Sequence, residues 1–413
     1  MIYHPSWKSL ALIVCFGAMI ISLERVPSGF CLANSGQTTS GNELRPLMNK
    51  MFSSLQKIYI YLMQDKGSEN KATDVQKERN EILNSFQQAV ATASGIEHHG
   101  RGDVAFQLSG TSLKKDLSQA ETFFRKNEFD ASGFIVRHLV ANCFSCHTRY
   151  GTKHSFPTPL IPENLEKSLR LYELARLKAA TRQFDQAVRL FDQILSDPEY
   201  SYDELVSEGV ITDYFRIMIR VNHDFTKAME VCDTLLKKEL DKSSVEIIRN
   251  WRKDLNILKD SGYFSAPSSL LKAKELLGKV RNVESEDVFP MQSLVLLMTA
   301  SASLHTLAID DSLQPQFRAE AYYLLGTAEH LMGSSFWLSE SQYFWEASIR
   351  TLPHSELARK SFEAIEENVK LGYTGSGGTR IPEEVDQWLN TLERMAAPAK
   401  NTVSSPPVAP VKS

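Results

Sequence analysis

The chain has 413 residues, of which 23% are charged and 42% hydrophobic, and a formal net charge of −4. Those values are ordinary for a soluble globular protein, and the length suggests two or more domains. They exclude collagen-like and disulfide-dense classes, and the near-neutral balance without a basic cluster gives no reason to assign nucleic acid or an anionic membrane as partner.

Taken in chain order, residues 1–33 read as an export signal. Lys8 precedes an apolar run from Leu10 to Ile21, and a polar stretch then ends in Cys31-Leu32-Ala33, with small residues at the two positions that matter for cleavage. The run is too short for a relaxed membrane span. Cleavage near Ala33 is therefore expected, giving a periplasmic or otherwise extracytoplasmic chain with no stable membrane span; an uncleaved anchor is the other reading. Cleavage leaves Cys143, Cys146 and Cys232, and Cys232 reads as a small buried hydrophobe.

Residues 43–152 predict four helices. Leu44, Met48, Met51, Leu55, Ile58 and Leu62 recur at spacings of four and three, one stripe of a first helix. A second covers about 74–93, with Val75, Ile82, Phe86, Ala89 and Ala93 on its seam. After a Gly-rich break, Ser109-Gly110-Thr111 can cap a third helix striped by Leu113, Leu117, Ala120 and Phe124. A fourth begins near Asp130 and ends in Cys143-Phe144-Ser145-Cys146-His147. The short connections demand antiparallel neighbours, as in a four-helix bundle.

The C-x-x-C-H at the end of that helix is the attachment signature of a c-type haem. Cys143 and Cys146 can each bond one vinyl group, and His147 then sits under the iron as its proximal ligand. With five Cys and ten His in the chain, chance produces the motif in roughly one such sequence in 700. A redox dithiol wants a βαβ context, and a structural zinc site wants a second ligand pair. His154 extends the motif to a Cys-Cys-His set, but no fourth partner stands out. One haem c, held by Cys143, Cys146 and His147, is the expected cofactor.

Four helices with this motif on the last, followed by Thr148-Arg149-Tyr150, resemble the cytochrome c prime family and its Met-ligated relatives. The resemblance implies His147 as proximal ligand and a distal side formed by the first helix. Leu44-Arg45-Pro46-Leu47-Met48-Asn49-Lys50-Met51 is similar to the Arg-then-Met start of the Met-ligated group, which implies Met48, or alternatively Met51, as the second iron ligand. The residues by themselves also suit core packing, since both methionines lie on the apolar stripe. His98 and His99, in the loop after the second helix, read as a solvated pair. His138, nine residues before His147, reads as a surface or edge residue.

Pro157, Pro159 and Pro162 mark a boundary. From 163 to 396 amphipathic helices alternate with short polar turns. Leu174-Ala175, Phe184-Asp185-Gln186-Ala187, Phe191, Ile194 and Asp197-Pro198 resemble one tetratricopeptide unit. Weaker resemblances lie at Asp224-Phe225-Thr226-Lys227-Ala228 with Cys232, and at Leu325-Gly326 with Phe344, Ala347 and Pro353. They imply a TPR-like α-solenoid with a concave protein-binding face, and a generic helical array predicts nearly the same shape. The aromatics at Phe336-Trp337 and Tyr343-Phe344-Trp345 read mostly as packing. Residues 371–379 are Gly-rich but come after a helix, so they read as a turned loop and not a phosphate cradle. Pro382 starts a last helix to about Met395, and 397–413 reads as a disordered tail.

The fold class expected is all-α: a haem-bearing helical bundle followed by helical repeats, the two folding separately. The expected role is single-electron transfer without enzymatic turnover, with the repeats docking a redox partner protein. The alternatives are a haem sensor binding CO or NO at an open sixth position, and a haem-stabilised interaction scaffold.

Overall fold

The computed structural model describes residues 44–64, 75–96, 103–150, 167–265, 267–280, 291–333 and 340–399. The signal segment, His98, His99, His154, the three boundary prolines, Phe336-Trp337 and all but the first residues of the tail lie outside them. The described residues belong to one compact unit, Ser40–Ser413. Among them are sixteen α-helices and one two-stranded hairpin.

The first four helices are α1 (Leu44–Met63), α2 (Val75–Ile96), α3 (Val104–Arg125) and α4 (Phe129–Arg149). The stripe predicted on α1 is its buried side: Met51, Leu55 and Ile58 are core residues, and Leu44, Met48 and Leu62 pack against the same core. Pro46 is tolerated because amides of the first turn have no intrahelical acceptor to lose. The start of α3 differs from the sequence reading. Asp103 caps it, its carboxylate accepting from the Phe106 amide at 3.2 Å, so Ser109-Gly110-Thr111 falls inside the helix with Gly110 buried. A carboxylate placed one residue before the helix already serves the first amides, and no second cap is needed downstream. Consecutive helices pack in pairs, and α4 returns against α1. That return needs a small residue, because a Cβ on Gly133 would sit 3.3 Å from Met63 Cε.

The remaining helices are α5 (Leu171–Ala180), α6 (Phe184–Ser196), α7 (Tyr202–Ser207), α8 (Val210–Phe215), α9 (Phe225–Leu235), α10 (Lys242–Asp260), α11 (Leu270–Gly278), α12 (Leu294–Ala308), α13 (Pro315–Leu331), α14 (Glu340–Thr351), α15 (Glu356–Gly372) and α16 (Glu383–Ala396). Here too neighbours pack in pairs. Ala175, Ala187, Phe191 and Ile194 fill the α5/α6 hairpin and are fully buried, so small residues on two facing helices do bring them together. A π-helical turn, Arg216–Asn222, continues α8. At the α13/α14 crossing a Cβ on Gly326 would lie 2.5 Å from Trp345 Cδ1, which fixes glycine there. The Gly-rich loop is the hairpin Thr374–Gly375 with Gly378–Thr379, turned through Gly378 at φ +91°. The stretch Met291–Ala308 is long and apolar enough to cross a membrane, yet 72% of it is buried. It serves as a core helix packed between α11 and α13.

One continuous hydrophobic cluster runs from α1 through α14. Polar ties cross the 151–166 segment as well. Asp103 also accepts from Tyr322 at 2.9 Å and from Tyr150, and Glu173 of α5 accepts from Tyr59 and, at 2.9 Å, from Arg137. This shared core argues against the separate folding expected from the prolines.

The deepest tie is ionic. Arg149, two residues beyond the C-x-x-C-H, pairs with Glu340 and with Glu329 at 3.2 Å; Glu329 also pairs with Arg220 of the π turn at 2.7 Å. Ser301 bridges Arg220 and Glu329. Burial pushes the Glu329 carboxyl up, but the Arg149 and Arg220 guanidiniums outweigh it and hold the group below the usual carboxylate range. Removing one member of such a set leaves uncompensated buried charge. Glu329→Leu should cost about 3–5 kcal/mol, read as a lower midpoint in urea unfolding, whereas Glu356→Gln on the surface of α15 should leave that midpoint nearly unchanged.

Candidate functional site

The last turns of α4 carry Cys143, Cys146 and His147. Because the helix continues through the motif to Arg149, spacings of three and four put all three side chains on one face. They face a single, largely apolar cavity that is open to solvent on one side.

Five other elements build the walls. Met48, Met51, Phe52 and Leu55 come from α1, and Ile96 from the end of α2. Phe106, Gly110 and Leu113 come from α3, with Ser109, Ser112 and Asp116 as its polar members. Leu177, Ala180 and Thr181 belong to the end of α5, and Tyr343 to α14. The cavity thus brings together every candidate read from the sequence: both thiols, His147 and both methionines. Arg45 is exposed on the first turn of α1 and is not among the lining residues. His138 stands apart too: half-buried, it bonds the Phe134 carbonyl at 2.7 Å through Nδ1.

His147 is held by a bond from the far side of the 151–166 segment. Its Nδ1 lies 2.7 Å from the Ala180 carbonyl. A carbonyl only accepts, so Nδ1 carries the proton and Nε2 carries the lone pair. Burial, together with the nearby Arg182 charge, lowers the imidazole to about 3 even though the Ala180 bond opposes this. The ring is therefore neutral at physiological pH. A neutral imidazole with its other nitrogen bonded to a carbonyl is the arrangement that orients metal-ligating histidines.

The Ala180 carbonyl is available because of how α5 stops. Gln183 N–H donates to Lys178 O at 2.9 Å and Arg182 N–H to Ala179 O at 3.0 Å, the paired bonds of a Schellman ending. They satisfy the two carbonyls that precede the one meeting His147. Thr181 Oγ1 returns to Leu177 O and receives Gln183 Nε2 at 2.7 Å, which stiffens the turn. Its geometry requires the left-handed residue Arg182, φ +59°, at about 1–2 kcal/mol of strain for a side chain other than glycine.

Burial favours the protonated form of both thiols. Burial pushes Cys143 up to about 11, opposed by a backbone hydrogen bond, and Cys146 up to about 12, with Arg149 opposing. Nucleophilic and redox cysteines are instead marked by lowered values. No group of three or more His, Cys, Asp or Glu able to hold a metal occurs among the described residues. Apolar walls, the side-chain-free surface of Gly110, two thiols and an oriented neutral imidazole fit a flat, thioether-bound haem.

Sequence reasoning missed the contributions of Ala180, Thr181, Asp116 and Tyr343. Only Asp116 left a signal, as an acidic residue beside the apolar stripe of α3. Comparison with known proteins yields no match: no protein-family profile, curated protein or solved structure resembles the chain closely enough to identify it.

Asp116 gives a pH test of the cavity wall. Burial raises its carboxyl to about 6, although the Ser112 hydroxyl (3.2 Å) and Lys115 favour the charged form. A carboxyl whose folded value exceeds its unfolded one stabilises the fold below the unfolded value, and that advantage is lost as pH rises through the folded one. In the cofactor-free protein, the stability of wild type minus that of Asp116→Asn should be greatest below pH 4 and fall by about 2 kcal/mol between pH 4 and pH 7. Urea midpoints at unit pH intervals measure this, and a pH-independent difference would contradict the buried placement.

Proposed function

We propose that the chain is an exported c-type cytochrome that carries single electrons. One observation supports this most directly: Cys143, Cys146 and His147 share a cavity with the thioethers of Met48 and Met51, and His147 keeps its lone pair on Nε2 through the Ala180 bond. Within this reading the first four helices are a bundle of the cytochrome c prime type. The small-residue hairpin of α5 and α6 favours a TPR-like array over residues 163–396, with a redox partner protein docking on the repeats. The export signal agrees with a periplasmic or otherwise extracytoplasmic site of assembly.

Cys143 and Cys146 would hold the haem through thioether bonds and His147 would ligate its iron, with Met48, or else Met51, as second ligand. When bound, such a haem supplies reversible one-electron chemistry at its iron, and the chain needs no catalytic residue of its own. The protein's part is to orient His147, to exclude water with the apolar walls of α1 and α3, and to set the potential through ligand, burial and nearby charge.

Covalent attachment is tested by denaturing the purified protein: the haem should stay with the polypeptide in acid organic solvent, and release of all of it would refute the proposal. The methionines separate an electron carrier from a gas binder. One of Met48→Ala and Met51→Ala should turn the haem high-spin and reactive towards carbon monoxide, and the other should cost only about 2–3 kcal/mol of packing. Ready carbon monoxide binding by the wild type, with no spectral effect of either change, would instead favour the sensor.

A further inference from the structure

A helix that ends in the Schellman manner needs a left-handed residue just past its C-cap, and glycine usually fills that place. At the end of α5, Arg182 fills it, at φ +59°. Three other non-glycine residues among those described have positive φ: Asn127, His223 and His354. Asn and His enter this region several times more often than other types, and Arg does not share that preference. The turn itself gives no reason for an arginine.

The surroundings of its side chain do. Arg182 forms no ion pair among the described residues, and its Nε is buried without a hydrogen-bond partner. Ala180 and Thr181, immediately before it, are cavity wall, and Ala180 is the residue that holds His147. The guanidinium is close enough to act electrostatically on both His147 and Cys146. The other cation beside Cys146, Arg149, is neutralised by Glu329 and Glu340. Arg182 is thus a half-buried cation beside the His147 wall of the cavity, with no ion-pair partner among the described residues.

We infer that Arg182 is kept at a position suited to glycine because its charge sets the reduction potential of the site. The inference rests on the haem reading. When one electron arrives from a redox partner, the positive charge of the site falls by one, and no bond or proton has to move. A fixed cation a short way off, in surroundings of low dielectric constant, favours the state of lower positive charge and so raises the potential. The chain beyond the prolines then takes part in tuning the cofactor as well as in docking.

The test compares full-length wild type with Arg182→Gly, Arg182→Gln and Arg182→Lys. Melting needs no cofactor: Arg182→Gly should melt higher than wild type, since the strained turn is relieved. In the haem-bearing proteins, the Gly and Gln changes should shift the ratio of reduced to oxidised iron at a fixed poise about tenfold towards oxidised. That is a fall of about 59 mV for a one-electron couple. Lys should restore most of it. Equal potentials in wild type and Arg182→Gln would overturn the inference, and so would a lower melting point for Arg182→Gly, which would make the arginine structural. A wild type without covalent haem would defeat the haem reading and this inference together, whereas attached haem with an unmoved potential would defeat this inference alone.

Discussion

Glu329 is a carboxylate with no exposure to water, clamped between the guanidiniums of Arg149 and Arg220, and the arrangement of the protein depends on that clamp. Arg149 belongs to the helix of the C-x-x-C-H motif, Arg220 to the π turn after α8, and Glu329 to α13, so one ion set indexes three distant pieces of chain. A buried ion set of this kind adds little net stability over an apolar one, because the charges lose their hydration. What it adds is specificity: few other packings of these helices would bring two cations to one carboxylate. Ser145 extends the lock to the motif itself, donating to Glu340 at 2.8 Å.

With α4 fixed in this way, the cavity is a product of both halves of the sequence. The motif helix offers three groups on one face, but their surroundings come from α1, α2, α3, α5 and α14. The Ala180 carbonyl shows the division of labour. Its freedom to accept from His147 comes from a helix ending whose other bonds are all local, and its position comes from packing of α5 on α4. Neither half by itself would present an oriented, neutral imidazole to this apolar cavity.

The helices α1 to α4 were legible in the sequence because each carries an apolar stripe at helical spacing, and the motif with its methionines was legible because its chemistry is spelled in consecutive or helically spaced residues. The start of α3 was misread: Asp103 and Ser109 are both good caps, and only the tertiary bonds from Tyr150 and Tyr322 show which is used. Glu329 and Arg220 left no signal, since a buried charge and a solvated one look alike on a helix until the partner is known. Arg182 was illegible for a different reason, because positive φ is foreseen at glycine and asparagine, and arginine in a polar turn suggests nothing. The joining of the two halves was hidden behind prolines that mark a break in secondary structure, which need not be a break in the core.

The cavity also bears on the order of events during the protein's birth. On the proposed reading each sulfur must meet a vinyl carbon of the porphyrin, yet in the finished fold both thiols are only partly exposed and burial favours their protonated form. The wall formed by Leu177, Ala180 and Thr181 lies downstream of the motif in the chain. A polypeptide emerging from its N-terminus exposes Cys143 and Cys146 before that wall exists. On that reading attachment would precede the docking of α5, which brings the Ala180 carbonyl onto His147.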